Sequence, residues 1–102
     1  MTDPELMLLD EPSAGLDLGG REDLIGRLTE LALDPDSPAM VLVTHHVEEI
    51  PPGFTHALLL KEGRIVAAGP MDQALTAESL SDTFDLALSL KQEDGRYTAR
   101  AL

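Results

Sequence analysis

Leu6-Met7-Leu8-Leu9-Asp10-Glu11-Pro12-Ser13-Ala14-Gly15-Leu16-Asp17 is the stretch on which the fold turns. Four apolar residues with no polar alternation suit a strand covered on both faces of a sheet. The run stops on two adjacent carboxylates, and Pro12 and Gly15 then mark a loop. An Asp directly after a buried apolar strand is costly unless a cation or a hydrogen-bond donor compensates it. Asp10-Glu11 therefore reads either as chemistry held at the end of a strand or as a carboxylate pair in an ordinary solvated turn.

Downstream, Leu24, Ile25, Leu28, Leu31 and Ala32 recur at helical spacing, with Arg21, Glu22, Arg27 and Glu30 on the other face. The pattern predicts a helix over Leu18 to Leu33, with Asp17 as its N-cap. Asp34-Pro35-Asp36-Ser37-Pro38 ends it, because neither proline can continue a helix. Ala39 to Val43 is a second buried-type strand, followed by Thr44-His45-His46. Strand, helix and strand within about 40 residues is the length of a βαβ unit, whose crossover is nearly always right-handed.

After Pro51-Pro52-Gly53, Ala57 to Leu60 predicts a third strand, Lys61-Glu62-Gly63 a turn, and Arg64 to Ala68 the returning arm of a hairpin. Pro70 to Phe84 reads as one or two short helices. Leu86 to Leu102, broken at Asp94-Gly95, fits either a terminal hairpin or a frayed tail.

Two parallel strands joined by a helix place their C-terminal ends on one edge of the sheet, the edge where open α/β sheets bind ligands. Asp10-Glu11 and Thr44-His45 end these two strands, so residues about 35 positions apart converge there. Mg²⁺ with coordinated water is the natural partner of a carboxylate held near phosphates. The adjacent Glu11 can then polarise a water for in-line attack on a terminal phosphoryl group.

The residues carrying this chemistry have a specific resemblance. Leu6 through Asp17 resembles the Walker B motif running into the D-loop of ABC transporter ATPases. Val41-Leu42-Val43-Thr44-His45 resembles their switch-histidine strand, and Leu58 through Pro70 resembles the strand pair that follows it. The three segments stand in family order over residues 1 to about 75. The chain is thereby identified as resembling the C-terminal half of an ABC transporter ATP-binding subunit.

The resemblance implies an α/β fold, a partial P-loop NTPase (RecA-like) parallel sheet with flanking helices and a C-terminal hairpin. It implies two segments, residues 1–76 as the C-terminal part of the ATPase domain and 77–102 as a helical or hairpin extension. By the same resemblance Asp10 holds Mg²⁺ through water, Glu11 is the general base, and His45 contacts the γ-phosphate and helps orient the attacking water. Ser13, Ala14, Gly15, Leu16 and Asp17 form the D-loop, which contacts a second ATPase subunit. ATP and Mg²⁺ are the implied cofactors, and a transmembrane permease subunit the further implied partner. His46 stands where the family usually has an acidic residue.

A phosphate cradle needs G-x-x-x-x-G-K-[ST], whose backbone N–H groups hold phosphates while Lys reaches the outer oxygens. Gly15 to Gly20 has the glycine spacing, but Arg21-Glu22 follows where Lys-Ser/Thr is required, inside the D-loop region. The glutamine loop and signature motif, which the family carries upstream of Walker B, are missing as well. The expectation is a truncated ATPase half, inactive by itself. In the family's sheet the phosphate-loop strand separates the switch-histidine strand from the strand resembled by Ala57 to Leu60. Its absence predicts a gap in the sheet, marginal stability, a rearranged sheet, or rescue by a partner.

Composition agrees with a small globular chain. The 102 residues are 43% apolar and 25% charged, with 3% aromatic and no cysteine. Nineteen acidic against seven basic residues give a net charge of −12, a field that repels phosphate backbones, so no nucleic-acid partner is expected. Met1-Thr2-Asp3-Pro4-Glu5 lacks a basic signal-peptide start, and no apolar run approaches the roughly 20 residues that span a bilayer. The chain reads as cytoplasmic, peripherally membrane-associated within a complete transporter.

Other readings stand beside this one. A DNA-repair or chromosome-maintenance ATPase shares the same motifs, although Lys61-Glu62-Gly63-Arg64 and Gly69-Pro70 favour the transporter branch. A non-catalytic interaction fragment is the alternative from another class. A metal site on His45, His46, Glu48 and Glu49 lacks H-E-x-x-H spacing, and adjacent residues do not face one another.

Overall fold

The computed structural model describes residues 6–102; the Met1–Glu5 segment discussed above lies outside the described residues. Strand β1 (Leu6–Asp10) is followed by helix α1 (Leu18–Leu33) and strand β2 (Ala39–Val43). A single turn of 3₁₀ helix covers Val47–Glu49. Strands β3 (His56–Lys61) and β4 (Arg64–Pro70), helices α2 (Met71–Ala74) and α3 (Ala77–Phe84), and strands β5 (Leu88–Glu93) and β6 (Arg96–Ala101) complete the order. The chain divides into two compact units, Met1–Gly53 and Phe54–Leu102.

In the first unit β1 and β2 pair in parallel, with Leu6 opposite Ala39 and Asp10 opposite Val43. Helix α1 spans the predicted residues because its ends are chemically marked. The Asp17 carboxylate accepts the Gly20 N–H at 2.8 Å, and the helix stops at Asp34, before Pro35. Ile25 and Leu28 are its buried side chains, with Leu24, Leu31 and Ala32 half-buried on the same stripe. At the C-terminal end the Leu31 carbonyl accepts both the Asp34 N–H at 3.2 Å and the Ser37 hydroxyl. Gly53 sits at φ +98, where a Cβ would come 3.2 Å from Leu33 and 3.3 Å from Ala32. Only glycine lets that turn pass so close to the end of α1.

The expected cover on both sheet faces is not what the structure has. Leu6, Leu8, Val41 and Val43 share one face and are exposed, Leu8 by 65%. Met7, Leu9, Met40 and Leu42, on the other face, are half-buried. An uninterrupted apolar run reports what a strand tolerates on both sides, and in this unit α1 is the one long helix among the described residues, able to cover a single face.

The second unit is built from hairpins. β3 and β4 pair antiparallel, with a register shift between Leu59 and Leu60 that leaves Val66 unopposed, a β-bulge. β5 and β6 pair antiparallel from Leu88 opposite Ala101 to Glu93 opposite Arg96, so the hairpin reading of the C-terminal stretch holds and the frayed tail does not. Leu59, Ala74, Leu75 and Leu80 are buried in this unit. Thr76 caps α3 reciprocally with Ser79, and Lys61 reaches the far end of α3, donating to the Asp82 carbonyl at 3.2 Å and to Asp85 at 2.8 Å. The hydrogen bond to Asp85 raises the Lys61 pKa; desolvation opposes it, and the charges of Asp85, Asp82 and Glu62 add to the rise.

The three strand pairs form three separate two-stranded sheets, and β3 pairs with β4 alone. The architecture is mixed α/β, as expected, and its strands form three small two-stranded sheets, one of them parallel.

Candidate functional site

The parallel register delivers Asp10 and Val43 side by side at the C-terminal end of the strand pair. Glu11 continues the ladder, its N–H donating to the Val43 carbonyl at 2.8 Å. There the chain turns sharply: Glu11 lies in the left-handed region at φ 46, an uncommon position for a residue with a β-carbon. The Ala14 N–H donates back to the Glu11 carbonyl at 3.1 Å and the Leu16 N–H to the Ser13 carbonyl at 3.0 Å, so Glu11 to Leu16 is two consecutive turns. Gly15 takes φ 84 within them. Asp17 then caps α1, which joins the far end of this loop to the helix.

The second strand brings its own loop. Val43 leads into Thr44, His45 and His46, and His45 Nε2 lies 3.8 Å from Glu11 Oε1. Both side chains remain open to solvent, His45 by 70% and Glu11 by 45%. A carboxylate and an imidazole converge on one edge. Asp10 is exposed at the same edge.

The residue that sequence reasoning missed is Glu49. Its carboxylate accepts the Ser13 hydroxyl on Oε2 and the Thr44 hydroxyl on Oε1, each at 2.5 Å. Ser13 is 36 positions away and belongs to the loop after β1; Thr44 belongs to the loop after β2. Partial burial opposes the charged form of Glu49, but the Ser13 and Thr44 hydrogen bonds, with the charges of His46 and Arg21, outweigh it. The group is held below the ordinary carboxylate range. Ser13, 7% exposed, is the buried polar residue of the core among the described residues. The one signal available in sequence was the crowding of Ser, Thr and Glu around two strand ends, and nothing in their spacing pairs them.

Of the predicted site residues, the structure brings Asp10, Glu11 and His45 to one edge and arrays Ser13 to Asp17 as the loop leading from it. No group of three or more His, Asp or Glu side chains gathers as a cation cage among the described residues. No helix among them is long and apolar enough to cross a membrane.

No protein-family model matches the chain. Individual proteins do. An uncharacterised ABC transporter ATP-binding protein, YlmA of Bacillus subtilis strain 168, is 43% identical over 102 residues, covering 99% of this chain and 39% of that protein. The molybdenum import ATP-binding protein ModC of a Shewanella species, strain MR-7, is 36% identical over 80 residues, 78% of this chain and 22% of that protein. A solved structure described as an inward-facing conformation of a metal-chelate type ABC transporter superposes with a TM-score of 0.70 at 26% identity, covering 95% of this chain and 39% of that one. The chain thus spans about two-fifths of the length of the first of these relatives and about a fifth of the second.

Proposed function

Because this chain belongs to the ABC transporter ATP-binding proteins and matches the C-terminal portion of its relatives, we propose that it supplies the carboxylate-and-histidine side of an ATP-hydrolysing site. The observation that supports this most is the approach of Glu11 Oε1 to His45 Nε2, 3.8 Å across the ends of two parallel strands. In this reading Leu6 to Glu11 is the Walker B strand, Ser13 to Asp17 the D-loop, and His45 the switch histidine.

Asp10 is the residue that would hold Mg²⁺, through water. Its carboxylate stands exposed beside Val43 at the strand end, a hard oxygen donor suited to a cation that keeps most of its waters. Mg²⁺ bound there supplies charge neutralisation at the phosphate oxygens. Glu11 accepts a proton from the attacking water, and the turn that puts its backbone at φ 46 aims the carboxylate off the strand end toward the edge shared with His45. His45 donates a hydrogen bond toward the γ-phosphate and orients the water. The Ser13–Asp17 loop meets a second ATPase subunit, and the assembly works beneath a membrane permease on the cytoplasmic side. Residues 1–76 belong to the ATPase domain and 77–102, which contain the self-contained β5–β6 hairpin, form an extension to it.

These 102 residues contain no phosphate-cradling motif, so by themselves they neither bind nor hydrolyse ATP. Titrating Mg²⁺-ATP into the chain by calorimetry, with phosphate release followed in parallel, is expected to give no heat and no turnover. Tight binding, with turnover lost in Glu11→Gln, would show a phosphate site elsewhere in the chain. The residue roles are tested by placing this chain in the corresponding C-terminal position of the Bacillus subtilis relative. Mg²⁺-dependent hydrolysis should appear and fall by about 10²-fold or more in Glu11→Gln. Hydrolysis indifferent to that change would refute the assignment of the base.

A further inference from the structure

Glu11 and His45 are both largely exposed, so packing does not hold them to each other. What orders the pair must be the two loops that carry them. These loops leave different strands, and one side chain touches both: Glu49 binds Ser13, two residues after Glu11, and Thr44, immediately before His45.

We infer that Glu49 is a positioning residue, whose carboxylate ties the loop after β1 to the loop after β2 and so sets the approach of Glu11 to His45. The inference rests on the reading of that pair as the reactive one, and it adds a residue to that site that acts on neither water nor phosphate.

The hydrogen-bond inventory fits a tie with a defined sense. Each hydroxyl has one proton to give. Ser13 and Thr44 both give theirs to Glu49, one to each carboxylate oxygen, which is the arrangement an ionised carboxylate permits. Thr44 Oγ1 also accepts the His46 N–H at 3.1 Å, so the same hydroxyl fixes the backbone directly after His45. Glu49 is fixed in turn by its own N–H, donated to the His46 carbonyl at 3.0 Å. On the other side Ser13 is buried, and its carbonyl accepts the Leu16 N–H, which keeps the Glu11–Leu16 turns in place. Movement of either loop away from the other breaks a charge-assisted bond at a site only partly open to water.

The alternative is a local role in which Glu49 only stabilises its own 3₁₀ turn. The two roles part at Glu11, which lies far from Glu49 in sequence and makes no hydrogen bond to it.

The test uses the 102-residue chain, its Glu49→Ala and Glu49→Gln variants, and Ser13→Ala. Two quantities are measured by NMR: backbone order parameters at Glu11 and His45, and the nuclear Overhauser contact between the His45 ring and the Glu11 side chain. In Glu49→Ala the contact should vanish and both order parameters fall from about 0.85 toward 0.6 or below, while β1–β2 amides stay protected. Glu49→Gln keeps the length and an acceptor oxygen, and should restore most of both signals. Unchanged order at Glu11 in a folded Glu49→Ala chain would overturn the inference. If that variant does not fold, Ser13→Ala decides, since it removes one oxygen. Loosening of Glu11 together with His45 supports the tie, and loosening confined to residues 11–16 refutes it. No nucleotide enters the measurement, so failure of the ATPase reading would leave this result standing, and failure of the tie would leave hydrolysis by the chimera untouched.

Discussion

In the unit ending at Gly53 the strands are parallel and can meet only through the α1 crossover; in the unit starting at Phe54 both strand pairs are hairpins closed by two-residue turns. The first unit buries Ile25, Leu28 and Pro51 but leaves an apolar sheet face open, and it fastens its loops with polar ties: Asp17 to Gly20, Ser37 to Leu31, and Glu49 to Ser13 and Thr44. The second unit packs short helices on its hairpins and buries Leu59, Ala74, Leu75 and Leu80. Chemistry-bearing residues sit where polar ties dominate. A loop that holds a carboxylate and an imidazole in solvent is fixed by hydrogen bonds, because burying it would hide the groups it presents.

The contrast can be broken in several ways. Leu80→Ala should cost about 2–4 kcal/mol, the range for emptying a closely packed leucine site, since Leu80 is 3% exposed. Denaturant midpoints together with amide exchange in α3 and β5 measure it, and a loss under about 1 kcal/mol would mean that the second unit is not held by this core. Gly53→Ala comes next. It forces a Cβ against Leu33 and Ala32 at a backbone angle that L-residues avoid, at a cost of about 1–3 kcal/mol. Thermal unfolding with no shift would show that the turn can move away from α1.

Acid should act on the polar unit selectively. Glu49 is held below the ordinary glutamate range, so its contribution is fully present above about pH 4.3 and disappears as pH falls through its lowered folded value. The groups facing it are Ser13, Thr44, His46 and Arg21. Exchange protection near Ser13 and Thr44 should drop in that window, and a Glu49→Gln chain should show a flatter profile. Superimposable profiles would remove Glu49 as the acid-sensitive tie. The smallest effect belongs to Leu8→Thr, on the open face of β1: a stability change within about 0.5 kcal/mol, although the residue is a leucine in mid-strand. A loss comparable to that of Leu80→Ala would mean that this face is covered in solution.

Much of this was legible in the residues, and the misses have physical causes. Asp17 and Asp34-Pro35 mark α1 at both ends, and its span agrees with the expected one. The convergence of Glu11 and His45 follows from parallel topology alone, which is why two residues so far apart in sequence could be paired in advance. Burial of β1 and β2 on both faces was not legible, because an apolar run shows what a strand can bear and cover depends on what else surrounds it. The C-terminal stretch stayed open between hairpin and tail because Lys91 to Arg100 alternates weakly, and only Asp94-Gly95 spoke for a turn. Glu49 escaped because hydroxyl–carboxylate ties have no period; a glutamate beside two histidines suggests a ligand before it suggests a strut.

The two tight turns carry a consequence for how the chain assembles. Glu62-Gly63 and Asp94-Gly95 each place two successive residues at positive φ, the twist that matches a hairpin's strands. Such a turn pre-forms its own nucleus, and isolated hairpins close in about 1–10 μs. β1 can find β2 only after the chain between them has been gathered in and wound into α1, a non-local step that comes later. When the complete chain refolds from the unfolded state, the C-terminal hairpins are therefore expected to form early and the edge bearing Glu11 and His45 late. Pulse-labelled exchange, which should protect β5 and β6 before β1, reads that order in time.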